Sequence, residues 1–246
     1  LNDIRLLLFD LDDTLLYFED YWEKSLYESF ETFPLTRDIG MDRLFPVFLE
    51  HDAQLHEKWL DGTIDGREFR NLRFIYTLAD FGMDVGAEEA ESFEQWFRTV
   101  RAAYIPHDTA LVEQLNGWAG RYKVGILTNG TTNDQFDKLR RMGLDKLFTK
   151  ENVFISDQIG FAKPNKEAYL YAASAMGCTA EETLFIGDSW INDVTGPIQA
   201  GMRAIWLNKA RRELPLAPVP TAVIHQLDEL SACISCKMDA TTNAND

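Results

Sequence analysis

The sequence predicts an α/β protein built on a doubly wound parallel sheet, with a four-helix bundle inserted after the first strand. Three observations carry this. The apolar run Leu6-Leu7-Leu8-Phe9 does not alternate, as expected of a strand buried on both faces of a parallel sheet, and it stops abruptly at Asp10-Leu11-Asp12-Asp13-Thr14. From about residue 17 to 104 no convincing strand follows, only helical periodicity broken at Pro34, Gly40, Gly62, Gly66, Gly82 and Gly86. Past Pro106, short apolar strands alternate with helices, the pattern of parallel sheets with right-handed crossovers.

In the inserted block, residues 19–33 place Tyr21, Trp22, Leu26 and Phe30 at helical spacing. Residues 41–60 carry Leu44, Phe48, Leu55 and Trp59, with Pro46 tolerable only near the helix start. Residues 65–81 open on a good N-cap, Asp65, and Glu68 three positions later completes a capping-box start. Residues 87–104 supply Phe93, Trp96, Phe97 and Val100. Four antiparallel helices joined by short glycine-containing loops make a bundle, with the aromatic stripes as its core.

The remainder reads as a helix over 109–119, a strand over 123–128 ending in Asn129-Gly130, and a helix over 132–142 closed by Gly143. A short strand at 153–155 follows, then a helix over 166–176 stopped by Gly177, and a strand over 183–186 running into Gly187-Asp188. A helix over 191–200, strands at 203–207 and 222–224, and a last helix near 226–234 complete the series. The expected domains are therefore 1–16 with 105–236 as the α/β core and 17–104 as the helical insertion. The tail 237–246, rich in Thr, Asn, Ala and Asp, reads as disordered.

Bulk properties narrow the partners. A net charge of −16 and the lack of any basic cluster argue against nucleic acid, whose phosphates need a basic surface. A small anionic substrate would need a local cation or metal against this field. Cys178, Cys233 and Cys236 are too few and too late for a disulfide framework. The Cys233/Cys236 pair has no second pair beside it, so it reads as reduced thiols rather than a zinc site. No apolar stretch reaches membrane-spanning length and the N-terminus lacks a signal pattern, so the expected location is cytoplasmic with no membrane partner. The sequence sets no oligomeric state.

The informative residues collect at strand ends. In a parallel sheet the carboxyl ends lie on one edge, where α/β folds bind ligands. That edge would gather Asp10, Asp12 and Thr14, then Thr128-Asn129-Gly130, Ala162-Lys163-Pro164, and Gly187-Asp188 with Asn192-Asp193. Asp10, Asp12 and Thr14 would project from the strand end, every second residue facing the same way. Two carboxylates held there repel by about 4 kcal/mol at ~4 Å and an effective dielectric near 20, and a cation is the simplest remedy. A nucleophilic carboxylate, a second carboxylate, hydroxyl and backbone donors, a lysine and a further acidic pair suit metal-assisted phosphoryl transfer. Each segment also has a plain structural reading as a turn, a cap or a solvated loop; their order on successive β-α units argues against it.

Asp10-x-Asp12-x-Thr14, Thr128, Lys163-Pro164 and Gly187-Asp188-x-x-x-x-Asp193 resemble the four motifs of haloacid dehalogenase-like hydrolases. The resemblance runs to about residue 230, and the helical block resembles the cap that this superfamily inserts after strand one. It implies that Asp10 attacks phosphorus to form an aspartyl-phosphate. Asp12 would protonate the leaving alkoxide and then serve as base for the hydrolytic water, with Thr14 positioning it. Thr128 and the Asn129 backbone N–H would bind phosphoryl oxygens, and Lys163 would neutralise the crowded charge. Asp10, the Asp12 carbonyl and Asp188 would hold Mg²⁺, with Asp193 reaching it directly or through water. Dehalogenases and phosphonatases of the superfamily lack the second motif-one Asp, so Asp12 points to a phosphatase or phosphomutase, with Asp13 a spacer.

The stretches Ile126-Leu127-Thr128-Asn129-Gly130, Ala162-Lys163-Pro164-Asn165-Lys166 and Ile205-Trp206-Leu207-Asn208 with Arg212-Glu213 further resemble pyrimidine 5′-nucleotidases that act on non-standard nucleotides. This implies a nucleoside monophosphate as the small phosphorylated partner. Sugar-phosphate or phosphoglycolate phosphatases, a mutase, and a non-catalytic binding homologue are the alternative readings. In capped members substrate choice lies in the cap and the flap after strand one, here Tyr17, Phe18, Trp59, Arg67, Arg70 and Arg73, each with cap packing or a solvated arginine as its plainer role. Hinges would fall near 17–19 and 104–107.

Overall fold

Six parallel strands form one sheet, with the first strand of the chain near its middle. The computed structural model describes residues 3–17, 21–60 and 63–235. Phe18, Cys236 and the tail 237–246 lie outside them. The strands are β1 (Leu6–Phe9), β2 (Lys123–Thr128), β3 (Val153–Ile155), β4 (Thr183–Gly187), β5 (Arg203–Leu207) and β6 (Ala222–Ile224), side by side in the order β3-β2-β1-β4-β5-β6. The chain divides into two compact units, Leu1–Phe18 with Pro106–Asp246, and Glu19–Ile105.

The non-alternating β1 run has a direct cause. Leu6 and Leu8 pack on one face against Ala168, Tyr169, Ala172 and Ala173 of helix α8 (Lys166–Ala175), while Phe9 stacks on Trp118 of α5 (Thr109–Ala119), ring centroids 5.7 Å apart. All four β1 side chains are fully buried. Each contributes about 1.5–3 kcal/mol over an exposed position, so the strand cannot slip register without losing both faces. Phe9 pairs with Ile126 of β2 and Ile186 of β4, which brings the carboxyl ends of β1, β2 and β4 level. The strand order reverses direction at β1, the switch point where open α/β sheets leave a crevice.

The second unit holds α1 (Trp22–Thr32), α2 (Met41–Leu60), α3 (Gly66–Asp80) and α4 (Ala87–Tyr104). Helix α1 packs on α4 and α2 on α3. The core is a cluster of phenylalanines: Phe93 stacks on Phe74 at 4.4 Å and on Phe30 at 4.6 Å, and Phe48 meets Phe30 edge-on at 5.0 Å. Asp65 caps α3, accepting from the Arg67 and Glu68 N–H groups at 2.7 and 2.8 Å, while Glu68 accepts from the Asp65 N–H at 2.9 Å. Pro46 falls in the second turn of α2. Two tryptophans of the expected core stripe sit at the surface instead. Trp59 is 42% exposed and lies flat on Phe69; Trp96 is 38% exposed and donates to Thr32. Their polar edges take the wet side of the bundle and leave the interior to phenylalanine.

Between β2 and β3 runs α6 (Thr132–Arg141), followed after β3 by the single turn α7 (Ser156–Ile159), too short for periodicity to reveal. The expected helix over 191–200 is two pieces: a π-type turn, Trp190–Thr195, then α9 (Gly196–Gln199). Gly196 N–H reaches back five residues to Ile191, and a Cβ on Gly196 would collide with the Tyr169 hydroxyl. Such turns interrupt helices mostly at functional sites. The closing helix is a 3₁₀ turn, Leu227–Glu229, leading into α10 (Leu230–Ser235), where Cys233 is half-buried. Among the described residues no helix is long and apolar enough to cross a membrane.

Candidate active site

The level strand ends put Asp10 directly after β1, Thr128 at the end of β2 and Asp188 directly after β4. Asp10 N–H donates to the Ile186 carbonyl at 2.9 Å, extending the ladder one residue past the strand. The chain then leaves the extended conformation. Leu15 and Leu16 N–H groups return to the Leu11 carbonyl, and Asp13 takes a left-handed φ of 59°. The simple alternation that would aim Asp10, Asp12 and Thr14 in one direction therefore holds only up to the turn. Aspartate tolerates that conformation better than most residues, which suits Asp13 to the bend.

Asp10 belongs to a buried charge cluster. Lys163 Nζ lies 2.7 Å from Asp10 and 2.7 Å from Asp193, and all three are buried. Asp193 shares its other oxygen with the Ser189 N–H at 2.9 Å. Carboxylate oxygens of Asp10, Asp188 and Asp193 lie within 4.8 Å of one another, the group among the described residues able to hold a metal ion. Three carboxylates against one ammonium leave two negative charges, the charge of one divalent cation. The electrostatics register that deficit. Burial, reinforced by Asp193, pushes the Asp10 carboxyl well up despite Lys163. Burial, then Asp193 and Asp13, pushes Asp188 up to about 7. Burial alone would pull the Lys163 ammonium down, but Asp10 and Asp193 outweigh it and raise it.

The loop after β4 is tied at both ends. Trp206 Nε1 donates to the Asp188 carbonyl at 2.8 Å, and the Tyr169 hydroxyl donates to the Asn192 carbonyl at 2.5 Å. Asn129 uses its side chain rather than leaving it for a ligand. Its Oδ1 accepts the Lys163 N–H at 2.9 Å and its Nδ2 donates to the Lys163 carbonyl at 3.0 Å, fixing the backbone that carries the lysine.

Asp12 is separate from the three-carboxylate group. Its oxygens lie 2.8 and 3.0 Å from Lys138 Nζ, and Gln135 Nε2 donates to Oδ2 at 3.0 Å. Gln135 also reaches Thr128 Oγ1 and the Asn129 carbonyl, both at 3.0 Å. Thr14, expected to position Asp12, is fully buried and its hydroxyl has no hydrogen-bond partner; α6 holds the carboxylate instead. Sequence reasoning missed Gln135 and Lys138. The available signal was their spacing of three on a helix whose inward face also carries Leu139.

The family model of haloacid dehalogenase-like hydrolases matches residues 4–201. The chain belongs to this family. It is 30% identical to the HAD-hydrolase YfnB of Bacillus subtilis over 92% of this chain and 93% of that protein. It is 29% identical to the pyrimidine 5′-nucleotidase YjjG of Escherichia coli over 94% and 97% of the two chains. It is 30% identical to the phosphoserine phosphatase of Thermus thermophilus over 85% and 90%. The crystal structure of YfnB bound to magnesium superposes with a TM-score of 0.77, covering 93% of this chain and 97% of that one at 29% identity.

In this haloacid dehalogenase-like chain, Gly187 is required by close approach. A Cβ at that position would fall inside the Asp193 carboxylate. Gly187→Ala is expected to cost about 2–3 kcal/mol, as overpacking of a tight interior does, and to displace Asp193 from Lys163. Urea denaturation checks the first, and loss of turnover the second.

The residues singled out for substrate choice are placed unequally. Tyr17 lies in the first unit with Lys209 Nζ over its ring, 3.5 Å from the centroid. In the helical unit Trp59 keeps an exposed face, and Arg67 is exposed but pairs with Glu91. Arg70 lies 3.6 Å from Glu94; burial, with Arg98 and Arg73 nearby, lowers its pKa. Arg73 is spent on packing: it is buried, sandwiched by the Phe48 and Phe69 rings, and bonded to Asp52 at 2.6 Å.

Proposed function

We propose that the chain is a Mg²⁺-dependent phosphomonoester hydrolase that works through an aspartyl-phosphate and acts on nucleoside monophosphates. One observation carries the reaction type: a second carboxylate, Asp12, anchored by Lys138 and Gln135 in the same strand-end region as Asp10. A displacement without an alkoxide leaving group has no use for it. Asp10 forms a bond to phosphorus as the ester P–O bond breaks, and the alkoxide takes the proton from Asp12. Asp12 then removes a proton from the water that attacks phosphorus, releasing inorganic phosphate and restoring Asp10. Lys163 opposes the burial that raises the Asp10 carboxyl and neutralises the crowded negative charge around it, while Thr128 and the Asn129 N–H receive phosphoryl oxygens.

The residues fit a magnesium ion. Asp10, Asp188 and Asp193 supply hard oxygen donors at suitable separation and a charge deficit of the right size, and the Asp12 carbonyl would complete the protein's share. When bound, the ion supplies neutralisation of phosphoryl charge. Because Asp188 sits near 7, the metal competes with a proton there. Asp10 and Asp188 both have folded-state pKa values above their unfolded ones. The Asp188 contribution to metal-free stability is therefore full below about pH 4 and is lost as pH rises through about 7, and that of Asp10 is lost in the same direction. Mg²⁺ is expected to raise Tm more at about pH 8 than at about pH 6; at hundredfold excess over Kd the stabilisation is about 2.7 kcal/mol. Differential scanning fluorimetry with and without chelator reads both effects.

The nucleotide assignment is supported by the motif-adjacent resemblance and by YjjG among the relatives. Trp59 and Arg70 retain partial exposure, offering an aromatic face and a cation for a base or a substrate oxyanion. The test is a substrate panel comparing UMP, dUMP and dTMP with phosphoserine and sugar phosphates. The reading requires that a nucleotide give the highest kcat/KM; a sugar phosphate or phosphoserine at the top would replace it.

A further inference from the structure

We infer that Lys138 is a positioning residue for proton transfer: it pins the Asp12 carboxylate to α6, the helix that also holds Thr128. The inference rests on the reading of Asp12 as acid and base. Lys138 is only 5% exposed, although it lies on a helix bearing Arg140 and Arg141 on its outside. Burying a lysine costs desolvation and rotamer freedom, which its contact to Asp134 at 3.3 Å one turn earlier would not require. Its amine instead spans both Asp12 oxygens.

Gln135 fixes the remaining freedom. It is 1% exposed, and the Asn129 carbonyl, like the Asp12 carboxylate when ionised, can only accept, so its amide nitrogen must face them. The Asp12 carboxylate plane is thereby set by two donors from successive turns of one helix. The same Gln135 nitrogen touches Thr128 Oγ1, so the proton carrier and the hydroxyl expected to bind a phosphoryl oxygen share one support. With the Thr14 hydroxyl lacking a partner, this support is what orients Asp12 in the described structure. Proton transfer is sensitive to such placement, because displacement by about 1 Å can cost about 10²-fold.

The experiment uses the full chain with Mg²⁺ and an alkyl phosphomonoester, in a cycle of Lys138→Met, Asp12→Asn and the double variant. Lys138→Met is expected to lower kcat about 30–100-fold with KM changed less than about threefold, since general acid–base catalysis contributes about 10²–10⁴-fold in all. Lys138→Arg should recover most of the loss by restoring the pair. In the Asp12→Asn background, Lys138→Met should cause no further fall in kcat, because both changes remove one function. A lower Tm with unchanged kcat would make the pair purely structural and overturn the inference, as would losses that multiply in the double variant. Should Lys138→Met not fold, Lys138→Gln, which retains a donor, carries the same comparison. Full activity in Asp12→Asn alone would instead remove the acid–base reading itself, and the inference with it.

Discussion

Asp10→Asn is expected to abolish turnover, with kcat down by about 10⁴-fold or more, while the protein stays folded. The two halves of this expectation have separate causes. Asparagine has nearly the same volume, so the packing behind β1 is preserved. Its amide oxygen is a poor nucleophile and carries no charge for a cation. The fold should tolerate the change because Asp10 is not a source of net electrostatic stabilisation without metal. Burial and Asp193 push its carboxyl well up even with Lys163 at 2.7 Å. Removing that charge leaves Lys163 paired with Asp193 at 2.7 Å and thins a crowded acidic group. The metal-free variant should therefore match or exceed the parent in Tm, and it should lose the stabilisation by Mg²⁺. Steady-state phosphate release, together with mass spectrometry for a phosphorylated Asp10 in the parent, checks the chemistry. Residual kcat above about one per cent would sink the covalent route.

Much of this site could be read from the sequence, for a physical reason. Parallel strands bring their carboxyl ends to one edge, so Asp10, Thr128 and Asp188, far apart in the chain, are level once Phe9 registers with Ile126 and Ile186. What stayed hidden was whatever depended on the path between regular elements. Asp13 turns left-handed, which breaks the alternation assumed for Asp10, Asp12 and Thr14 and leaves the Thr14 hydroxyl without a partner. The partners of Asp12 come from the inward face of α6, where a lysine and a glutamine look like solvent-facing residues until the helix is docked. Arg73 reads as a candidate substrate cation, with cap packing or a solvated arginine as its plainer role, and it is cap packing that the structure has. Two phenylalanine faces and Asp52 offset its desolvation inside the bundle. In each case a side chain's charge was legible, but the partner that decides its role came from another segment.

Lys163→Met is expected to do the reverse of Asp10→Asn, destabilising the metal-free fold as well as stopping turnover. The lysine is the ammonium that bridges Asp10 and Asp193, and its side chain is 3% exposed. Removing one partner of a buried pair leaves uncompensated charge, at a cost of about 3–5 kcal/mol. At about 2–4 °C per kcal/mol for a chain of this size, Tm should fall by roughly 10 °C. The loop itself should persist, because Asn129 grips the Lys163 backbone through its N–H and carbonyl rather than through the amine. The deficit is thus one of charge, and it must respond to protons. Without Lys163 the Asp10 and Asp188 carboxyl groups are raised further. Metal-free stability of the variant should then climb as pH falls, fully recovered below the unfolded carboxylate pKa near 4 and lost as pH rises through the raised folded values. The gap in Tm between parent and variant should accordingly narrow from about pH 8 to about pH 5.5, and Mg²⁺ should narrow it at the higher pH by supplying the missing positive charge. An equal gap at both pH values would mean that the methionine fails for reasons of shape, and the electrostatic account of this cluster would have to be abandoned.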